Sequence, residues 1–299
     1  MYVLTLISGS TQRALDDSFL RRVSALLPRP GEIRWLAAGV AADIQFGLAA
    51  EEAAALRTDV EEALADLPVD AVLQPAAGRR KKLLVADMDS TIIGQECIDE
   101  LADYAGLKTK VAAITERAMR GDLEFAPALR QRAALLEGLP ASVIERVIAE
   151  RIRPNPGAAT VVATMRAGGA HTLLVTGGFT AFAEPIAKML GFDSFRANVL
   201  LSENGRFSGK VAEPILGREG KLRALSAAAT RLGIGRRETL AVGDGANDVD
   251  MVMGAGLGVA WHAKPALDKA AAARIDHCDL TALLYAQGYT RDEFALPAA

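Results

Sequence analysis

Lys82-Leu-Leu-Val-Ala-Asp87-Met-Asp-Ser-Thr91 is the stretch on which the fold turns. Leu83–Ala86 is a short unbroken apolar run that stops abruptly at acidic and hydroxyl residues. An unbroken run means both faces of the strand are buried, as in a parallel sheet covered by helices. Downstream, after Pro154 and Pro156, the same logic repeats. A helix is predicted over 157–168, a strand over 171–175, a helix over 180–190 and a hairpin-like segment over 195–211. A helix over 218–232, a strand over 239–242, a helix over 247–254 and a strand over 257–260 follow. Such alternation predicts an α/β fold, a Rossmann-like doubly wound parallel sheet. Residues 98–150 read as almost wholly helical, with breaks at Gly106, Gly121–Asp122 and Gly138–Pro140. They form a helical cap inserted between the first and second strands.

Upstream the pattern differs. Strands are expected at 2–8, 32–37, 43–48 and 71–74, and helices at 14–27 and 50–66. Leu15, Phe19, Leu20, Val23 and Leu26 share one face of the first helix. The order βαββαβ is the split-βαβ pattern of a small α+β, ferredoxin-like domain. Gly78-Arg-Arg-Lys-Lys82 reads as a solvated charge run. The expected division is therefore a small domain over 1–76, a linker over 77–82 and a second domain over 83–299. No candidate site residue precedes the linker, so a fragment starting near Arg79 is expected to fold.

Composition narrows the function. Of 299 residues, 51% are hydrophobic and 24% charged, which is globular composition with ample core. A net charge of −3 gives no reason to expect nucleic acid or an anionic membrane as partner. Cys97 and Cys278 are too far apart to suggest a disulfide framework or a metal-ligand pair. The opening Met1-Tyr-Val-Leu-Thr5 has no basic leader, and no apolar run approaches the roughly 18 residues of a membrane helix. A cytoplasmic protein is expected.

Ligands bind beyond the carboxyl ends of parallel strands. Each predicted strand end here carries polar residues: Asp87-Met-Asp89-Ser-Thr91, Thr176-Gly177-Gly178 and Gly243-Asp244-Gly245-Ala-Asn247-Asp248. Lys221 opens the helix before the last of these strands. The inventory suits phosphoryl transfer. A phosphate monoester repels an attacking carboxylate unless cations neutralise it, and Mg²⁺ takes hard oxygen ligands such as Asp87 and Asp244. Lys221, Thr176 and the glycine amides can meet the phosphate oxygens. Asp87 and Asp89, two apart at a strand end, offer a nucleophile and a neighbouring proton donor.

These motifs, taken in order, resemble the haloacid dehalogenase superfamily. Within it, residues 83–285 resemble the phosphoserine phosphatases. That closer likeness rests on Glu96-Cys-Ile-Asp-Glu100, Met119-Arg-Gly-Asp-Leu-Glu-Phe125 and Leu129-Arg-Gln-Arg-Ala-Ala-Leu-Leu136. The resemblance implies Asp87 as nucleophile and metal ligand, with Asp89 as proton donor and, through its carbonyl, a second ligand. Asp244 would be the third ligand, and Asp248 would support the metal. Thr176, Gly177 and Lys221 would bind phosphate, and Asn247 the substrate. Glu96 would pair with the substrate ammonium and Arg132 with its carboxylate. The implied substrate is phosphoserine, and the implied product serves serine biosynthesis. The N-terminal domain resembles the ACT regulatory module, which implies a possible homodimer. Thr176 stands where the phosphoserine enzymes often carry Ser.

Each motif has an ordinary reading when taken alone. Asp-x-Asp-x-Thr occurs in surface turns, a lone lysine is usually exposed, and Asn247 or Asp248 would serve as a helix cap. Arg132 and Glu96 could be plain cap residues, and Met119 and Phe125 core or pocket wall. Their co-occurrence at strand ends decides for chemistry. Gly254-Ala-Gly-Leu-Gly258 precedes a strand and is no dinucleotide fingerprint, and Leu222 after Gly220-Lys221 excludes a phosphate-binding P-loop. Neighbouring expectations are phosphohomoserine or phosphothreonine as substrate. In other classes stand a phospho-acceptor module and an amino-acid sensor.

Overall fold

The computed structural model describes residues 1–9, 11–119 and 123–297, without the side chains of residues 116, 118 and 119. The Gly121–Asp122 break and the centre of the 119–125 motif lie outside the described residues. A four-stranded antiparallel sheet contains β1 (Tyr2–Ser8), β2 (Pro30–Ala37), β3 (Ala41–Phe46) and β4 (Val69–Pro75), in the order β2-β3-β1-β4. Helices α1 (Asp17–Ser24) and α2 (Ala53–Leu64) cover one face, where Leu4, Leu6, Ile44 and Phe46 meet Phe19, Leu20 and Val60. Asp16 caps α1 by accepting from Phe19 N at 2.6 Å. The helix stops at Ser24, so Leu26 is half exposed and Leu27 takes the buried place. Once the chain leaves the helix, the helical period no longer assigns faces.

The large sheet is six-stranded and parallel. Its members are β5 (Leu83–Ala86), β6 (His171–Phe179), β7 (Ser194–Asn198), β10 (Thr239–Gly243), β11 (Leu257–Trp261) and β12 (Ala273–Ile275). Their order is β12-β11-β10-β5-β6-β7. Leu83 and Val85 enter one core layer and Leu84 and Ala86 the other, all fully buried, as the unbroken apolar run requires. The expected hairpin over 195–211 is shorter than predicted. Its first segment, β7, joins the large sheet beside β6, and only β8 (Leu200–Glu203) and β9 (Arg206–Val211) pair as a hairpin. Asn204 and Gly205 turn it with positive φ of 51° and 73°.

The cap comprises α3 (Cys97–Tyr104), α4 (Lys108–Met119), α5 (Phe125–Ala134) and α6 (Val143–Arg151). The chain enters and leaves it side by side: Gly94 N donates to Arg153 O, Asn155 N to Ile92 O, and the Asn155 amide to Thr91 O. Next come α7 (Ala158–Ala167), α8 (Thr180–Leu190), α9 (Arg218–Leu232), α10 (Val249–Gly254), α11 (Pro265–Asp268) and α12 (Ala282–Ala286). The sequence reading missed α11, β12 and α12, whose few residues are too short to show a period.

The charge run at 78–82 is not simply solvated. Arg79 is nearly buried, donating to both carboxylate oxygens of Asp43 at 2.6 and 2.9 Å and to the carbonyls of Tyr285 and Ala286. Lys81 is buried and donates to the carbonyls of Gly78 and Arg237. Only Arg80 and Lys82 face solvent, paired with Glu293 and Glu238. The second face of the small sheet explains this. Ile7, Ala41 and Val72 join the core of the large domain. On the same face Asp70 accepts from the amides of Asp276, His277 and Cys278, and Gln74 donates to Ala286 O. The Ala286 carbonyl at the end of α12 takes its donors from Arg79 and Gln74, and Arg79 joins the Gly288 amide on Tyr285 O. Four consecutive positive charges do not encode which distant surface closes over them.

Candidate active site

The Asp87 amide donates to Val242 O at 3.0 Å, tying the end of β5 to β10. Beyond Asp87 the chain leaves the strand in a tight turn in which Ser90 has a left-handed φ of 54°. Asp87 and Asp89 therefore do not share a strand face as a simple continuation would have them. The turn gives them separate surroundings.

Asp87 is buried, and the fully buried Lys221 lies behind it. Lys221 Nζ stands 2.5 Å from Asp87 Oδ1 and 2.6 Å from Asp248 Oδ1. Asp248 Oδ2 in turn accepts from Gly245 N at 3.1 Å. A Cβ on Gly243 would lie 2.5 Å from Asp248 Cγ, so only glycine lets Asp248 take this position. Asp244 receives Lys264 Nζ at 3.2 Å and Thr91 Oγ1 at 3.4 Å. Carboxylate oxygens of Asp87, Asp244 and Asp248 lie within 4.8 Å of one another.

Burial pushes the Asp87 carboxyl well up, and the Asp248 charge adds to this against Lys221. Burial also raises Asp244, partly offset by Lys264. Burial alone would lower Lys221, but Asp248 and Asp87 outweigh it and hold the ammonium above its ordinary range. Three carboxylates against one buried ammonium leave a negative excess that a hard cation would relieve. The donor set is all oxygen, which fits a divalent ion of the magnesium or calcium kind.

Asp89 is held from two sides. Its Oδ1 accepts from Cys97 N at the first turn of α3, at 2.8 Å, and its Oδ2 from Thr176 Oγ1 at 3.0 Å. Thr176 Oγ1 accepts from Gly178 N at 2.8 Å. Two glycines permit this packing: a Cβ on Gly178 would come 2.9 Å from Asp89 Oδ2, and one on Gly177 2.7 Å from the Phe125 ring.

All of this opens into one cavity of about 800 Å³ between the sheet edge and the cap. Asp87, Asp89, Glu96, Arg132, Thr176, Gly177, Asp244 and Asn247 line it, so eight of the ten residues given a role from sequence share one chamber, and Lys221 and Asp248 lie outside its lining. Lys221 sits beneath its floor. At the cap end Ser90 Oγ donates to Glu96 Oε1 at 2.7 Å. Glu96 keeps exposed surface, but that surface faces the cavity, and enclosure together with the Asp89 charge lifts its carboxyl to about 7. Arg132 is enclosed too, which lowers its affinity for the proton against the pull of Asp99, Glu96 and Asp89. Lys264 was missed from sequence. Reading the end of β11, Trp261-His-Ala-Lys264, by the rule applied to the other strands would have found it.

Residues 84–253 match the family model of the haloacid dehalogenase-like hydrolases. The chain belongs to this family. Among curated relatives, phosphoserine phosphatase SerB2 of Mycobacterium tuberculosis is 46% identical over 217 residues, covering 73% of this chain. The chain spans only 53% of that relative's length. Phosphoserine phosphatase of Albidiferax ferrireducens is 45% identical over 208 residues, covering 68% of this chain and 88% of the relative. A solved structure described as a phospho-aspartyl intermediate analogue of phosphoserine phosphatase matches with a TM-score of 0.64 and 39% identity, over 69% of this chain and 98% of its own.

Proposed function

We propose that this chain hydrolyses L-phosphoserine to L-serine and phosphate through an aspartyl-phosphate on Asp87, with Mg²⁺ as its metal. The observation that carries the reading is the pair Glu96 and Arg132 lining the cap side of a chamber whose floor holds Asp87. A zwitterion leaving water needs an opposite partner for each charge, and these two provide them. The named relatives agree in substrate.

In the first step an Asp87 oxygen attacks phosphorus, the ester P–O bond breaks, and Asp89 gives its proton to the departing serine oxygen. In the second, Asp89 as carboxylate takes a proton from water while the water oxygen attacks phosphorus. This restores Asp87 and releases phosphate. Thr176, Gly177 and Asn247 would orient the phosphate and substrate, and Lys221 would balance the charge on Asp87 from beneath. Asp87, Asp244 and the Asp89 carbonyl would hold the metal, with Asp248 in the same cluster. When bound, it would offset the repulsion between carboxylate and phosphate.

No helix among the described residues is long and apolar enough to cross a membrane, and a serine-forming step suits the cytoplasm. The N-terminal sheet, read as an ACT-like module, would pair two chains. Its β4 side is held by the large domain, which leaves the β2 side for a partner. Light scattering on the full chain tests that point.

Steady turnover of a phosphoester panel, with and without Mg²⁺, tests the reaction. Phosphoserine is expected to exceed phosphothreonine, phosphohomoserine and phosphoethanolamine in kcat/KM. Preference for another ester, or release of no more than one phosphate per chain, would overturn the reading.

A further inference from the structure

Asp99 from α3, Thr115 from α4 and Arg132 from α5 line the cap side of the cavity from three different helices. Among the described residues, Asp99 Oδ1, Thr115 Oγ1 and Arg132 Nε are each shut off from solvent without a hydrogen-bond partner. Native proteins carry few such atoms, because a buried polar group without a partner is costly. Three in one wall call for a common explanation. Asp99 is the charge that acts most strongly on Arg132, ahead of Glu96 and Asp89, and Arg132 is the charge that acts most strongly on Asp99. Even so, their buried Nε and Oδ1 atoms do not meet.

A guanidinium is a planar fork with two usable edges on a long, flexible stem. An arginine asked to grip a carboxylate in one orientation works best when its other edge is already held. We infer that Asp99 is a positioning residue for Arg132: with the Thr115 hydroxyl it takes the Nε edge as the cap settles on substrate, leaving the outer fork for the substrate carboxylate. The inference rests on the reading of Arg132 as the carboxylate partner. It adds a residue that never touches the ligand and acts through one that does. It also explains why a second acid besides Glu96 lies on the cap side of a chamber meant for a phosphorylated, anionic molecule.

The test uses the full chain with Asp99→Asn, Arg132→Ala and the double variant, assayed on phosphoserine and on phosphoethanolamine, which lacks the carboxylate. Asp99→Asn should lower kcat/KM for phosphoserine roughly tenfold, chiefly through KM, and for phosphoethanolamine less than about threefold, within the coupling range of contacting residues. The double variant should be no worse on phosphoserine than Arg132→Ala alone. The Asp99→Asn melting temperature should not fall, since the amide removes a buried negative charge. Equal loss on both substrates, additive losses in the double variant, or a lower melting temperature would overturn the inference and make Asp99 a structural residue. A parent enzyme with no preference for phosphoserine over phosphoethanolamine would instead sink the functional reading, and the inference with it. Asp99→Ser replaces Asp99→Asn if that variant does not fold.

Discussion

Lys221 reaches Asp87 across 134 residues of chain and places its ammonium 2.5 Å from one carboxylate oxygen, with Asp248 at 2.6 Å on its other side. None of the three has appreciable solvent exposure. Removing one partner of a buried ion cluster leaves uncompensated charge, typically at a cost of about 3–5 kcal/mol. Lys221→Met should therefore unfold at markedly lower urea than the parent in EDTA. Millimolar Mg²⁺ should narrow the gap, because a cation among the same carboxylates restores balance. Equal stability of parent and variant in EDTA would contradict this account.

Asp87→Asn should lower turnover by at least about 10⁴-fold with the fold retained, as expected for loss of a nucleophile. Beryllium fluoride should bind the parent as an aspartyl-phosphate mimic and fail to bind the variant, which titration calorimetry would show. In the phosphorylation step, Asp89→Asn should slow phosphoserine by about 10²–10⁴-fold but p-nitrophenyl phosphate far less, since a good leaving group needs no proton. Single-turnover burst rates separate the two variants, and matching losses on both esters would remove Asp89 from the acid role.

Glu96 titrates near 7 because its surroundings are enclosed and Asp89 lies close. Its folded-state value is raised, so between about pH 4.5 and 7 the native state binds the extra proton and loses stability as pH rises. Glu96→Gln should hence be more stable than the parent at pH 8, the difference shrinking toward pH 5. In binding, only the carboxylate form can meet an ammonium. The ratio of kcat/KM for phosphoserine over phosphoglycolate should fall as pH drops below about 7, with phosphate ionisation cancelling in the ratio. A ratio that stays flat from pH 5.5 to 8 would exclude Glu96 as the ammonium partner.

Arg132→Ala should cost phosphoserine about 2–5 kcal/mol in kcat/KM, as for one partner of a buried charge pair, and phosphoethanolamine much less. Equal losses would make Arg132 structural or phosphate-directed.

Arg79→Ala leaves the buried Asp43 carboxylate without its guanidinium and removes one of the two donors at each of the Tyr285 and Ala286 carbonyls. The expected loss is about 3–5 kcal/mol. Asp43→Asn should recover part of it in the double variant. For the same reason a chain starting at Arg79 should melt lower than the full chain or fail to stay in solution. A truncated chain as stable as the parent would show that the small sheet is merely appended.

Much was legible in the chain because local chemistry is written in consecutive residues. An apolar run that halts at Asp87-Met-Asp89 states a buried parallel strand and the site at its end, and the same sign recurs at Thr176 and Asp244. Helix and strand periods gave both sheets and the place of the cap. What the tertiary structure alone decided involves partners far apart in sequence. That Lys221 lies under Asp87 instead of on the cavity wall, that Asp89 is held by the first turn of the cap, and that Asp43 and α12 bury Arg79 could not be read from neighbours along the chain. A charged residue looks the same in sequence whether water or a carboxylate meets it. Burial, which sets its energy and its role, is a property of surfaces brought together only when the chain closes on itself.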